Sequence, residues 1–438
     1  MKEIIIETAC GKLKGIDSES GIHKFYGIRY ATGGRWEYPN EVTRSNDVSD
    51  ATGFKDASIQ RRTFYKEQED SFYYKEFRKD EGYTYSEDCF FLNIWKPESC
   101  EKAPVIFYVH GGMFQGGCGN EKPFDGSGYA QKGVIFVTCN YRLGPFGFCS
   151  LPELAQRDGH TGNYGLYDQL TALKWICHNI EHFGGDPFNI TVMGQSAGAM
   201  SLQQLCMSPL SKDYISKAIM TSGGGVSETF ANSTYTEKTY PFWEEVLSQV
   251  GTTLEEWIKC DAKDLLDSMF AVMQKYPNGI QNCMPVIDGG IVPYNTDEMN
   301  TKMMQAKIPY MMGSTKDDLL PEEMHRMAKD WTILQSEQGM IPSYCFYFSR
   351  NLPGDEKGSW HSSELWYTIG ALENCWRPWE EKDYKLSDAM MEYFSNFAKC
   401  GNPNGESLPE WKTTSNTQGD VMIFSDTEIG MGKIVRSQ

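Results

Sequence analysis

Residues 189–201 read NITVMGQSAGAMS. Ile190 to Met193 are apolar or β-branched and predict a buried strand, and the Ala/Met/Leu-rich run beyond Ser196 predicts a helix. Between them Gly194-Gln195-Ser196-Ala197-Gly198 fits G-x-S-x-G. A strand that turns sharply into a helix strains its middle residue, and glycines two positions to either side remove the Cβ atoms that would clash there. The Ser196 hydroxyl is then held at a helix N-terminus, where free N–H groups favour developing negative charge. The pattern alone also describes a turn with an N-cap serine; with a strand before it and a helix after it, Ser196 reads as a nucleophile.

Upstream and downstream of this stretch the rhythm is strand and helix alternation, the mark of a mostly parallel sheet with helices on both faces. Strands are predicted over 90–95, 103–109, 134–140, 217–222, 308–313 and 343–348. The spacing predicts helices over 168–182 and 386–398, and two or three between 240 and 273. Gly144 to Gly147 reads as a glycine-rich turn. The first thirty residues alternate as an antiparallel lead-in. Residues 55–86 are charged, rich in Tyr and Phe and without clear periodicity; they read as a surface loop or short helix, whose aromatics either cover the active site or simply pack the loop down. There is no repeat, low-complexity linker or obvious cut, so residues 1–438 are expected to form one domain.

The 438 residues include 41 basic and 59 acidic side chains, a formal charge of −18, which argues against nucleic acid and anionic membranes as partners. No run of apolar residues is long enough to span a bilayer. The opening MKEIIIETACGKLKG has a three-residue apolar run broken by Glu7, which predicts a first strand rather than a signal peptide and hence a cytoplasmic protein. The thirteen cysteines, without C-x-x-C pairs, fit free and mostly buried thiols in a reducing compartment.

A serine needs a base, an acid that orients the base, and donors for an oxyanion. With the partners following in the order serine, acid, histidine, only His325 and His361 remain as bases. His325 sits in PEEMHRMAKDW, a charged helical stretch, and reads as a solvated face residue; His361, in the Gly/Ser-flanked GSWHSSELW, is the base expected. The acid should follow a strand, and IPYMMGSTKDDLL offers Asp317 and Asp318, one for the imidazole and its neighbour as a helix cap. The loop His110-Gly111-Gly112-Met113 after an apolar strand supplies backbone donors, completed by the N–H of Ala197. This chemistry needs neither metal nor organic cofactor.

Taken together, FYGIRYA (25–31), SEDCFFLNIW (86–95), YVHGGMFQGG (108–117), NYRLGPFGF (140–148) and the long GNYGLYDQLTALKWICHNIEHFGGDPFNITVMGQSAGA (162–199) resemble the type-B carboxylesterase family, the group that includes the cholinesterases. Shorter matches follow at 285–289, 313–318, 361–366 and 396–405. The resemblance implies an α/β-hydrolase fold and a serine carboxylesterase acting on small-molecule esters through an acyl-enzyme on Ser196. It implies His361 as base, Asp318 rather than Asp317 as acid, and an oxyanion hole of Gly112, Met113 and Ala197. Arg35 with Glu87 and Arg142 with Asp168 match structural ion pairs of the family.

Four departures stand out. Met113 occupies a position where the family usually has Gly or Ala, and its side chain is expected to narrow or redirect the acyl pocket. Gln195 replaces the glutamate usual before the nucleophile, which weakens any case for a cationic substrate. Cys89 matches a family disulfide cysteine but only Cys10 precedes it, so that bridge is expected to be absent. Only 43 residues separate Asp318 from His361, which implies a shortened lid and a more open pocket admitting bulky or varied acyl groups.

Rival readings are an amidase or peptidase on the same triad and a non-catalytic cholinesterase-like binding protein. A zinc site at Cys177, His178 and His182 is weaker still, since no H-E-x-x-H accompanies the histidines. Asn189 and Asn232 head glycosylation sequons that carry no weight without secretion.

Overall fold

The computed structural model describes residues 2–18, 20–44, 48–227, 233–414 and 419–434, so Asn232 lies outside the described residues. Twelve strands carry the argument: β1 (Lys2–Thr8), β2 (Gly11–Ser18), β3 (Ile22–Arg29), β4 (Phe91–Pro97), β5 (Ala103–Val109), β6 (Ile135–Cys139), β7 (Gly185–Gln195), β8 (Lys217–Thr221), β9 (Tyr310–Thr315), β10 (Tyr344–Phe348), β11 (Val421–Phe424) and β12 (Ile429–Gly432). They form one sheet in the order β1-β2-β3-β4-β6-β5-β7-β8-β9-β10-β11-β12, with Val48–Asp50 pairing β2 to the side. β1 to β4 are antiparallel, as the lead-in predicted; from β6 to β11 every pair is parallel.

The central strands are apolar on both faces because both faces are covered. In β5, Val105, Phe107 and Val109 point into one core and Ile106 and Tyr108 into the other. Short helices α1 (Arg61–Phe64) and α2 (Phe72–Phe77) occupy the stretch read as loop or short helix. The first core is closed by α3 (Tyr164–Asn179) and α4 (Ala197–Met207) through Leu166, Leu170, Leu173, Leu202 and Leu205. Three helices, α5 (Thr236–Leu247), α6 (Leu254–Lys259) and α7 (Ala262–Met273), build a satellite core with Trp36, Phe146 and Leu154. Between β9 and β10 runs α8 (Pro321–Glu337), and α9 (Glu381–Cys400) covers the opposite face with Leu386, Met390, Phe394 and Phe397.

Two local expectations are refined. The glycine-rich turn read at Gly144 to Gly147 is one buried helical turn, Gly144–Phe148, with Pro145 at its start, where a missing N–H costs nothing. His325 is half-buried on α8 with its ring edge-on to Tyr347 at 5.4 Å, so it is not a solvated face residue.

The ion pairs hold the scaffold together. Arg142 is buried and grips Asp168 with Nη2–Oδ1 at 2.7 Å and Nε–Oδ2 at 2.9 Å; Arg35 meets Glu87 with Nε–Oε2 at 2.9 Å. All thirteen cysteines are free, Cys89 among them. Among the described residues no helix is long and apolar enough to cross a membrane.

β5 is flanked by β6 on one side and β7 on the other, so the chain leaves it in opposite directions and opens a crevice at the carboxyl ends of these strands. Val109 is level with Gly194, Gln195 with Thr221, and Thr221 with Gly313. The residues following β5, β7, β8 and β9 therefore surround one crevice.

Candidate active site

Ser196 sits between β7 and α4 with φ 56° and ψ −127°, a conformation a non-glycine residue holds only when its surroundings impose it. Its N–H donates to Thr221 O at 2.9 Å, and its carbonyl accepts from Met200 N at 3.0 Å. A Cβ at Gly198 would lie 2.1 Å from Val109 O, which fixes glycine there and lets α4 start directly against β5.

His361 arrives from the loop beyond β10. Its Nε2 lies 2.9 Å from Ser196 Oγ and its Nδ1 2.5 Å from Asp318 Oδ1. An ionised carboxylate only accepts, so the proton belongs on Nδ1 and the Nε2 lone pair faces the serine hydroxyl. The two side chains are almost wholly buried, at 8% and 0% exposure. Asp318 is gripped further by the Ser222 hydroxyl at 2.6 Å, Thr315 N–H at 3.2 Å and Leu319 N–H at 2.9 Å. Burial pushes its carboxyl up, but the hydrogen bond and charge of His361, with the Ser222 and Thr315 donors, outweigh it and hold the group below the usual carboxylate value.

Asp317 does not reach the imidazole and does not cap α8, whose N-cap is Leu320. Its Oδ2 accepts from Ser359 N–H at 2.8 Å and its own N–H donates to Ser359 O at 3.1 Å. The expected helix cap thus becomes a clamp on the loop that delivers His361: the turn after β9 aims the side chain at that loop rather than at the helix.

The His110–Met113 loop crosses the crevice. Gly112 has φ 108°, and a Cβ there would lie 2.1 Å from Gly116 O. The N–H groups of Gly112, Met113 and Ala197 have no acceptor among the described residues. Behind them Tyr141 Oη donates to His110 O at 2.8 Å and stacks on the imidazole; burial pushes that imidazole down to about 4, so it is a neutral spacer. Gln60 pins the far end of the loop, accepting from Gly117 N–H and donating to Gly117 O, both at 3.0 Å. Met113 is 52% exposed and lies on the rim of the cavity.

Glu364, Thr221 and Ser222 carried no sequence signal, whereas Gln195 already stands out as a departure. Gln195 Nε2 lies 3.2 Å from His361 Nε2, so an uncharged amide stands beside the imidazole. Glu364 is wholly buried, held by the Thr221 hydroxyl at 2.8 Å; burial, and then the Asp318 charge, push it up to about 7 against that hydrogen bond. Ser222 and Thr221 end a strand next to β7, and a search of strand ends flanking the nucleophile would have singled them out.

A cavity of about 710 Å³ opens over Ser196, His361 and Gly112. Its apolar walls are Tyr73 and Phe77 of α2, Phe270 and Met273 of α7, and Leu319. Residues 60–78 therefore do line the mouth, with Tyr73 Oη donating to His361 O at 3.3 Å. Between Asp318 and His361 the chain builds α8 and β10 and no further α-helix, and neither contributes to the cavity wall. Cys177, His178 and His182 do not gather: His178 is 2.8 Å from Glu41, and no group of three or more metal-ligating side chains occurs among the described residues.

An open, centrally parallel sheet with helices on both faces and a strained serine at the β7–α4 turn defines an α/β-hydrolase fold. Residues 2–338 and 321–437 match the carboxylesterase family. The chain is 30% identical to the para-nitrobenzyl esterase of Bacillus subtilis (strain 168), over 98% of this chain and 96% of that one. A solved PNB esterase matches with TM-score 0.85 at 28% identity, covering 98% of this chain and 97% of its own. A thermophilic PNB esterase gives 0.86 at 28% identity, covering 98% of each chain. The chain belongs to the carboxylesterase family and is a carboxylic ester hydrolase.

Proposed function

We propose that Ser196 is the nucleophile of this esterase, His361 its general base and acid, and Asp318 the group that orients and stabilises the imidazolium. Ser196 Oγ attacks the ester carbonyl as His361 Nε2 takes its proton. The tetrahedral oxyanion rests on the N–H groups of Gly112, Met113 and Ala197, and collapse expels the alcohol with the proton from His361. Water, deprotonated by the same imidazole, then releases the acid from the acyl-enzyme. The observation that carries this reading is the unbroken line from Ser196 Oγ to His361 at 2.9 Å and on to Asp318 at 2.5 Å, beside backbone donors without acceptors.

The substrates are small-molecule esters. With the wall between Asp318 and His361 reduced to elements that stay out of the cavity, the pocket admits bulky or varied acyl groups, so activity on para-nitrophenyl esters should persist from acetate to longer chains. The 438 residues act as one domain, supported by the continuous sheet from β1 to β12. The free thiols support a reducing, cytoplasmic location, and the charge of −18 supports the absence of nucleic-acid partners.

The test is hydrolysis of a para-nitrophenyl ester set against the matching anilide. Wild type should cleave the ester far faster; Ser196→Ala and His361→Ala should each lose on the order of 10⁴-fold or more in turnover with the fold intact by circular dichroism. Equal rates on the anilide would move the protein to the amidases, and an unaffected Ser196→Ala would end the proposal.

A further inference from the structure

The cavity wall carries more positive than negative charge on a strongly acidic protein. Six charged side chains line it: Arg61, Arg62, Lys66 and Arg78 against Glu67 and Glu121. Both carboxylates are spent. Glu121 is buried and meets Arg62 at 2.9 Å and Arg78 at 3.3 Å; Glu67 meets Arg78 at 2.6 Å. Among the described residues Lys66 reaches only Glu69, at 3.6 Å, with both side chains largely in solvent.

Arg61 is different. Its guanidinium lies 5.3 Å from the Phe270 ring centre and 5.8 Å from that of Tyr65, and no carboxylate among the described residues comes within ion-pair distance. Asp267, whose carboxyl feels the Arg61 charge, is already held by Lys263 and the Tyr65 hydroxyl, each at 2.6 Å. Aromatic faces hold a guanidinium by its plane and leave its N–H edge free, which is the arrangement that takes a carboxylate through two parallel hydrogen bonds. Beside Ser196 itself, Gln195 adds no negative charge.

We propose that Arg61 is a specificity-determining residue and that this esterase prefers esters carrying a carboxylate, held by the Arg61 guanidinium at the mouth while the ester carbonyl reaches Ser196. The inference rests on the assignment of Ser196 as nucleophile. The apolar part of the cavity wall, with Phe270, Met273 and Leu319, suits a methylene or aryl spacer. The excess positive charge of the wall also favours the encounter, more so at low salt.

The test measures kcat/KM for the mono-para-nitrophenyl esters of succinic, adipic and suberic acids and for the same chains ending in a carboxamide. A second arm places the carboxylate on the alcohol half, using acetyl esters of hydroxyphenylalkanoic acids and their carboxamides. In the arm matching the true orientation the anionic ester should be preferred by roughly 10- to 100-fold, the worth of a charge-assisted hydrogen-bonded pair. Arg61→Met should collapse that ratio towards one, Arg61→Lys should restore part of it, and added salt should shrink it. Because the ratio is taken within each enzyme, a general loss of activity from a loosened wall cancels. A ratio near or below one in both arms, or one that Arg61→Met leaves unchanged, overturns the inference while turnover of the carboxamide esters keeps the esterase assignment standing. No turnover of any ester, or turnover that survives Ser196→Ala, would instead remove the nucleophile assignment and this inference with it.

Discussion

The two sides of the cavity were built by different rules. The floor consists of residues that follow strands β5, β7, β8 and β9, where backbone register sets Val109 beside Gly194, Gln195 beside Thr221 and Thr221 beside Gly313 before any side chain is considered. The outer wall, residues 60–78, contains two short helices and holds its place through individual side chains: Gln60 on Gly117, Arg62 and Arg78 on Glu121, Tyr73 on the His361 carbonyl. The carboxyl ends of central strands tolerate much variation because the ladder sets the positions. A wall made of separate polar contacts changes whenever one of them changes, so it is where substrate preference can vary while the chemistry stays fixed.

The sharpest test of the strand-end rule is a pair of neighbouring aspartates. Asp318→Asn should cost on the order of 10⁴-fold in kcat, because the amide disturbs the imidazole tautomer. Asp317→Asn should cost about tenfold, since it only loosens the Ser359 clamp on the His361 loop. Steady-state kinetics on a para-nitrophenyl ester reads both, and equal losses would break the division between a group that touches the imidazole and one that positions its loop.

Glu364 offers a smaller effect on the same side. Its carboxyl titrates near 7 in the folded chain against an ordinary 4.5, so between those values the folded protein keeps a proton that the unfolded chain has released. Stability therefore falls as pH rises through that window and levels off above it. Relative to Glu364→Gln, which carries no such proton, the wild type should lose on the order of 3 kcal/mol between about pH 4.5 and pH 8, read from urea unfolding midpoints. A constant difference between the two proteins would show that Glu364 is ionised throughout.

The outer wall should give the mildest response. Gln60→Ala removes both hydrogen bonds to Gly117 and should cost about 1–3 kcal/mol of stability, with roughly a tenfold fall in kcat as the donors of Gly112 and Met113 lose their fixed positions. An unchanged kcat would mean that Tyr141 beneath His110 is enough to set the loop.

Where sequence reading succeeded, a local pattern had a local cause. G-x-S-x-G between an apolar strand and a helix can be accommodated in few ways, and the alternation of elements after Phe90 predicted the sheet and its helices within a few residues at most ends. The failures were of another kind. Asp317 was expected to cap a helix and clamps a loop 42 residues further along the chain instead. His325 is half-buried because Tyr347 of β10 packs against it. Glu364 looked like any glutamate, and only burial beneath Asp318 and His361 sets it apart.

By itself the amino-acid sequence determined the elbow around Ser196 and the layered sheet, because these depend on backbone strain and periodicity, both of which are local. Only the tertiary structure decided that Asp317 clamps the loop before His361, that Gln60 anchors the donor loop, and that Arg61 lies near two rings with no carboxylate within ion-pair distance among the described residues. Those outcomes depend on distances between residues far apart in the chain, and such distances are set by packing.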